Sequence, residues 1–186
     1  KTLIVALGTE HRQLNIPGEK EFLGKGVSYC STCDGNFFKD KEVAVVGGAD
    51  SAAKAALYLS KICKKVHIVY RRHEMRCEPI SLSKICEKSN VEIHYYSNPL
   101  EISGNKVVEN LKIVTDWPDK KSTEHNLKVS GVFIEIGATP AKEVIKDLKI
   151  KVEKDYIVTD KDTKTNVKGV FAVGDITNNS LKQVVT

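Results

Sequence analysis

Residues 42–72, "EVAVVGGADSAAKAALYLSKICKKVHIVYRR", change hydrophobic period twice. "VAVVG" at 43–47 is a continuous, mostly β-branched run of the kind buried on both faces of a parallel sheet. From Ser51 to Cys63 the spacing turns helical. Ala52, Ala55, Ala56, Leu59 and Cys63 fall on one face, and the small alanines let a helix lie close to a sheet. "VHIVY" at 66–70 returns to strand, so the stretch predicts a βαβ unit with a right-handed crossover.

The turn inside this unit, "VVGGADSAA", stands where a GxGxxG or GxGxxA phosphate-binding turn belongs, after a strand and before a helix. Gly47 and Gly48 open the turn, and Ala52 fits the third position, where a small residue lets helix and strand pack. The second fingerprint glycine is replaced by Ala49, whose methyl intrudes where a pyrophosphate sits. The helix N-terminus still offers amide donors and the positive end of its dipole, with Asp50 or Ser51 as candidate caps. The competing reading is a Rossmann-like turn that binds nothing. At the end of the second strand a site for NAD wants an acid for the ribose hydroxyls. This chain carries Arg71, Arg72 and Arg76 there. Guanidinium forks match a phosphate bidentately, so a 2′-phosphate and hence NADPH is the sharper reading, against a solvated basic patch.

Further along, Pro79 opens a helix carrying Leu82, Ile85 and Cys86, and "VEIHYY" at 91–96 follows as a third strand. "KVVENLKIVT" and "HNLKVSGVFIEIG" flank the polar loop "DWPDKKSTE" and predict an antiparallel pair. "ATPAKEVIKDL" at 138–148 predicts a helical turn or two, with "YIVTD" and "GVFAVGD" as the last strands. The class is α/β, Rossmann-like, with an antiparallel ribbon.

At 186 residues and 41% hydrophobic the chain supports one good core or two small ones. No apolar run is long enough to cross a bilayer and the N-terminus lacks a signal-peptide layout, which makes a cytoplasmic location the expectation. Five cysteines, an odd number, argue against a secreted disulfide framework. The net charge of +5 comes from dispersed lysines, densest at "KICKK" and "PDKK", and reads as solvated faces rather than a nucleic-acid surface. The chain lacks an initiator Met, "TLIVALG" already reads as a strand, and "SLKQVVT" reads as a helix just starting. The expectation is a piece of something longer.

"SYCSTCDGNFF" at 28–38 places Cys30 and Cys33 in a CxxC pair followed by Asp34. A structural zinc site needs four ligands. The sequence has one CxxC, and His11, His67, His73, His94 and His125 show no HxxxH-type spacing, so no metal is expected. Two readings remain: inert buried cysteines, or a redox pair of the kind that accompanies a βαβ pattern. In the second, Asp34 exchanges a proton with a released thiolate. Cys63, Cys77 and Cys86 are read as packing residues.

In order and spacing, "VSYCSTCDGNFF", "VAVVGGADSA", "YRRHEMR" and "GVFAVGD" resemble the low-molecular-weight thioredoxin reductases and their relatives in the pyridine nucleotide–disulfide oxidoreductase family. The resemblance implies a discontinuous FAD-binding domain at 1–12 and 138–186 enclosing an NADPH-binding domain at 13–137. It implies flavin contacts from Gly8 and Thr9 of "IVALGTE", from Gly137, from Gly174 and Asp175 of "GVFAVGD", and from Gln183. It makes Cys33 the thiol that meets the flavin, Cys30 the thiol that attacks a thioredoxin-like protein, and Asp34 the acid. It further implies a homodimer in the full-length protein and a rotation of the central domain between nucleotide and disulfide presentation. Three departures bear on this: Ala49 for a glycine, Lys54 and Ala55 where the family tends to carry glutamates, and Met75 for an aromatic. They keep open a flavoprotein that uses NADH or another donor, and a non-catalytic redox-sensing module. The family's first FAD fingerprint is absent from the sequence, so this chain alone is expected not to hold FAD.

Overall fold

A computed structural model of the chain describes residues 1–116, 121–140 and 147–179. They form two compact units, residues 13–136 and residues 1–12 with those described from 137 onward.

The unit of residues 13–136 is built on a five-stranded sheet in the order β3 (Val27–Ser28), β10 (Gly131–Ile134), β4 (Glu42–Val46), β5 (Lys65–Val69), β6 (Val91–His94). Every neighbouring pair is parallel. Because side chains alternate along a strand, Val43, Val45, Val66 and Ile68 face one side and Ala44, Val46 and Val69 the other. The first side is covered by α2 (Asp50–Leu59) and α3 (Pro79–Cys86). The predicted helix face is the buried one: Ala52, Ala55, Ala56 and Leu59 are each no more than 3% exposed. Small side chains there keep the helix close to the sheet; a leucine at Ala56 would overpack the contact by about 1–3 kcal/mol. Pro79 sits at the first turn of α3, where its missing N–H costs nothing.

The second side is covered by a three-stranded antiparallel meander, β7 (Ser97–Gly104), β8 (Val108–Thr115) and β9 (Thr123–Lys128), with Ile102, Leu111 and Ile113 buried under it. The meander corrects the expected ribbon. Of the segment expected to pair with β8, only the part within "TEHNLK" does so, whereas "GVFI" crosses into the sheet between β3 and β4 as a fully buried parallel strand. The run is apolar on both faces, as a central parallel strand demands, while the segment before it alternates toward solvent. β7 was not anticipated, because Pro99 and two register shifts interrupt its alternation.

In the other unit, β1 (Leu3–Val5) pairs in parallel with β14 (Val170–Ala172), β2 (Thr9–His11) antiparallel with β11 (Ala138–Pro140), and β12 (Val152–Glu153) antiparallel with β13 (Tyr156–Ile157). Val5, Ile150, Ile157, Ala172 and Ile176 form its core, while Leu3, Ile4 and Leu7 are exposed. Residues 138–140, expected to begin a helical turn, are a strand; the rest of that expected helix, residues 141–146, lies outside the described residues. No helix among the described residues is long and apolar enough to cross a membrane.

Candidate active site

Cys30 and Cys33 form a disulfide with Cα atoms 5.3 Å apart. Cys30 is the N-cap of the short helix α1 (Ser31–Asp34), and its Sγ accepts a hydrogen bond of 3.2 Å from the Cys33 N–H. An N-cap sulfur held this way is already hydrogen-bonded where a thiolate forms when the bond opens. Cys33 is exposed and Cys30 half-buried, so the inert buried pair is not what the fold builds.

The acid of the motif has a partner that sequence reading missed. Ser28, 4% exposed, donates from Oγ to Asp34 Oδ2 at 2.6 Å and accepts from the Cys30 N–H at 3.0 Å. One hydroxyl thus ties the backbone of the first cysteine to the carboxylate after the second. The signal in the sequence was only a serine two residues before the CxxC. Gly35 has a packing reason: a Cβ there would lie 2.9 Å from the Tyr58 ring and 3.0 Å from Leu59, so its absence lets α1 dock on α2. Tyr29 donates to Glu19 Oε1 at 2.7 Å, and Glu19 also accepts from the N–H groups of Leu14 and Asn15, which anchors residues 14–19 beside the motif. Burial and that carboxylate push the Tyr29 phenol well up, so it stays a donor. Asp34 and Phe37, the latter 75% exposed, line an open cleft of about 740 Å³.

The remaining thiols differ in setting. Burial pushes Cys63 up to about 11 and raises Cys77, which keeps both in the unreactive thiol form. Cys86, expected to pack, is exposed, because Ile85 takes the buried position on that turn of α3.

At the other end of α2 lies the glycine turn. Gly47 has φ +146°, and a Cβ on it would collide with the Glu135 carbonyl oxygen, so only glycine joins β4 to α2 this closely. Ala52 is fully buried in the fingerprint's third position. The N-cap of α2 is Ala49, which has no side-chain cap. Neither Asp50 nor Ser51 caps the helix as expected. Asp50 is the first helical residue, and its Oδ1 accepts from the Glu78 N–H at 2.8 Å; Ser51 is exposed. The Arg76 N–H donates to the Gly48 carbonyl at 2.6 Å, and the Arg76 Nε to the Tyr70 hydroxyl at 3.1 Å, with the Tyr70 ring against Gly48. The arginine segment is therefore pinned to the glycine turn. Arg71, Arg72 and Arg76 are exposed, and none has a carboxylate partner among the described residues. Met75 is 5% exposed and belongs to the helix-side core, as does Ala55, while Lys54 is exposed; Met75 is thus a packing substitution rather than a pocket one. Glu135, also unanticipated, directly follows β10 beside the turn where the strand order reverses, and burial raises its carboxyl above the usual range.

These observations test the fit of a dinucleotide. A tight glycine turn, three exposed guanidinium groups without a carboxylate partner among the described residues and a helix N-terminus without a side-chain cap suit a phosphorylated nucleotide, while the Ala49 methyl narrows the turn. The disulfide and the turn do not meet directly. Gly35 packs on Tyr58 and Leu59, about nine residues of α2 from Asp50, which at 1.5 Å per residue is about 13 Å.

In the other unit, Gly8, Gly137 and Gly174 have φ of +64°, +92° and +75°, with open space where a Cβ would stand. Thr9 starts β2, and Asp175 is half-buried in the single 3-10 turn Gly174–Ile176. Open backbone of this kind admits a ligand's close approach and fits a flavin nucleotide. Gln183 lies outside the described residues.

The fold thus joins a Rossmann-type parallel sheet to a CxxC disulfide packed beside its first helix. The sequence matches the pyridine nucleotide-disulphide oxidoreductase family over residues 1–186, and the chain belongs to that family. It is 41% identical to a thioredoxin reductase of Listeria innocua over 187 residues, covering 100% of this chain and 58% of that protein. A crystal structure of Lactococcus lactis thioredoxin reductase in its FR conformation superposes with a TM-score of 0.87 at 37% identity, covering 100% of this chain and 61% of that one. The thioredoxin reductase of T. acidophilum gives a TM-score of 0.84 at 36% identity, with 98% and 60% covered. The chain thus spans about three fifths of the length of these relatives.

Proposed function

We propose that the chain belongs to a flavin-dependent disulfide reductase that passes electrons from NADPH through FAD and the Cys30–Cys33 disulfide to thioredoxin or a thioredoxin-like protein. The observation that carries this reading is the disulfide itself, formed at a helix N-cap, exposed at Cys33, and backed by the Ser28–Asp34 hydrogen bond. Its separation from the glycine turn by most of α2 calls for a carrier between nucleotide and disulfide. When bound, the nicotinamide and flavin supply hydride and relay it as two electrons.

The residues of this chain do the rest. Residues 13–136 would hold the nucleotide: the backbone of Gly47 and Gly48 with the N-terminal amides of α2 at Asp50, Ser51 and Ala52 would receive the pyrophosphate, and Arg71, Arg72 and Arg76 would hold the 2′-phosphate. Residues 1–12 and 137–186 contribute flavin contacts through Gly8, Thr9, Gly137, Gly174, Asp175 and Gln183. Two electrons break the Cys30–Cys33 bond. The Cys30 thiolate attacks the partner's disulfide to form a mixed disulfide, and Cys33 displaces the reduced partner to restore the starting bond. Asp34, held by Ser28, carries the proton to or from the departing sulfur. Phe37 offers an exposed apolar contact to the partner. The enzyme works in the cytoplasm, where thiols stay reduced, and acts as a homodimer in full-length form.

The test is anaerobic stopped-flow reduction of the full-length protein by NADPH and by NADH, followed by turnover on a protein disulfide. NADPH reduction at least tenfold faster than NADH, with turnover abolished in Cys30→Ser, supports the proposal. Faster reduction by NADH overturns the donor assignment, and protein-disulfide turnover retained in Cys30→Ser overturns the dithiol relay.

A further inference from the structure

His67 on β5 and His94 on β6 come from positions too far apart in sequence to read as a motif, yet His67 Nδ1 lies 3.0 Å from His94 Nε2 with the rings stacked. Register explains it. His67 stands opposite Glu92 and Val69 opposite His94, and alternation turns His67, Glu92 and His94 to the meander side of the sheet. Glu92 completes a triangle: its Oε1 is 3.7 Å from His94 Nε2 and its Oε2 3.8 Å from His67 Nδ1. One ligand atom from each residue lies within 4.8 Å of the others, and no other such group occurs among the described residues.

We propose that His67 Nδ1, His94 Nε2 and the Glu92 carboxylate bind one divalent first-row ion, zinc in class, with water in the fourth position. A tetrahedral site with bonds of 2.0–2.1 Å has ligand-to-ligand edges of about 3.3 Å, and the 3.0 Å from His67 Nδ1 to His94 Nε2 and the 3.7 Å from His94 Nε2 to Glu92 Oε1 bracket that length. The surroundings are those of a ligand set. The other nitrogen of His67, Nε2, faces Glu42 Oε2 at 3.6 Å, and a carboxylate there places the proton on Nε2 and turns the Nδ1 lone pair into the triangle. Lys65 holds Glu92 Oε2 at 2.6 Å, which leaves Oε1 for the ion and keeps the carboxylate in place. His67 is 5% exposed, whereas Glu92 is exposed and gives the ion a path from solvent. The ion ties edge strand β6 to β5, and its nitrogen and oxygen ligands are independent of the CxxC pair. The arrangement without an ion is a hydrogen bond between two neutral imidazoles with Glu92 paired to Lys65 and Glu42 to Lys64; it gives no zinc-dependent rise in melting temperature.

The test uses the full-length protein with the Cys30–Cys33 disulfide oxidised. Zinc titration by calorimetry is expected to show one ion per chain at micromolar zinc. Cobalt(II) is expected to give tetrahedral visible bands without thiolate-to-cobalt charge transfer. Glu92→Gln and His94→Gln, at positions open enough to keep the fold, are expected to weaken zinc binding at least tenfold, and Glu42→Gln by about tenfold. Zinc is expected to raise the melting temperature of the parent and not of His94→Gln. Absence of saturable binding, equal affinity in Glu92→Gln and His94→Gln, or a thiolate-type cobalt spectrum overturns the proposal.

Discussion

Replacing Ser28 by alanine removes one oxygen and leaves every cysteine and acid in place. That hydroxyl is 4% exposed, donates to Asp34 at 2.6 Å and accepts from the Cys30 N–H at 3.0 Å. A hydrogen bond to a charged group contributes about 1.5–3 kcal/mol, and a buried N–H left unpaired costs about 1–3 kcal/mol. Asp34 is half-exposed and recovers water on one side, so the lower end of the first range applies, and S28A is expected to lose about 2–3 kcal/mol in total. In urea this appears as a lower midpoint at unchanged m. The functional effect is a loss of aim at the acid. General acid–base groups contribute about 10²–10⁴-fold, so a residue that only positions one is expected to cost about tenfold in kcat for protein-disulfide reduction. Reduction by the nucleotide stays unchanged, and the pH profile of kcat shifts. S28T keeps the hydroxyl and restores most of the rate. An S28A enzyme that is destabilised as stated but turns over with parental kcat and an unaltered pH profile would refute the positioning role.

Four further outcomes follow from the same geometry. R71A and R72A are each expected to raise the KM for NADPH at least tenfold while leaving that for NADH nearly unchanged, and A49G to lower the NADPH KM severalfold, all read by steady-state kinetics. E135Q tests the half-buried carboxyl of the residue whose backbone carbonyl packs on Gly47. Its folded pKa lies above its unfolded one, so the folded state binds the extra proton and stability falls as pH rises through that window. The glutamine variant is therefore expected to be more stable than the parent at pH 8 and indistinguishable at pH 3.5 by thermal unfolding. F37A is expected to raise the KM for the protein substrate severalfold with the nucleotide half-reaction unaffected, since the side chain is 75% exposed and supports no core.

The βαβ unit was legible because its signals are local. A β-branched run, a glycine turn, an alanine-faced helix and a second run occupy residues 42–72, and the structure returns them as β4, α2 and β5. Pro79 likewise announced α3, while the CxxC spacing left inert cysteines and a redox pair both open until the structure joined Cys30 to Cys33. Pairing between distant segments was not legible. "GVFI" reads equally well as the end of a ribbon or as a central parallel strand, and only the sheet order decides. Ser28 looks like an ordinary polar residue until the fold brings its hydroxyl to Asp34, and Glu135 until its backbone carbonyl meets Gly47 and burial raises its carboxyl. The expected capping by Asp50 failed because the helix starts one residue early, which leaves Ala49 at the N-cap and turns the Asp50 carboxylate to the Glu78 N–H. His67 and His94 escaped a search by spacing because sheet register, rather than a helix turn, aligns them.

The central claim is that Cys30 and Cys33 relay electrons to a protein disulfide, with Cys30 the attacking sulfur. Full-length Cys33→Ser, reduced and mixed with an oxidised thioredoxin-like protein, leaves Cys30 without its resolving partner. Mass spectrometry is expected to find a stable one-to-one mixed disulfide mapped to Cys30 and absent from Cys30→Ser. An adduct that maps to Cys63, Cys77 or Cys86, or no adduct at all, would contradict the account.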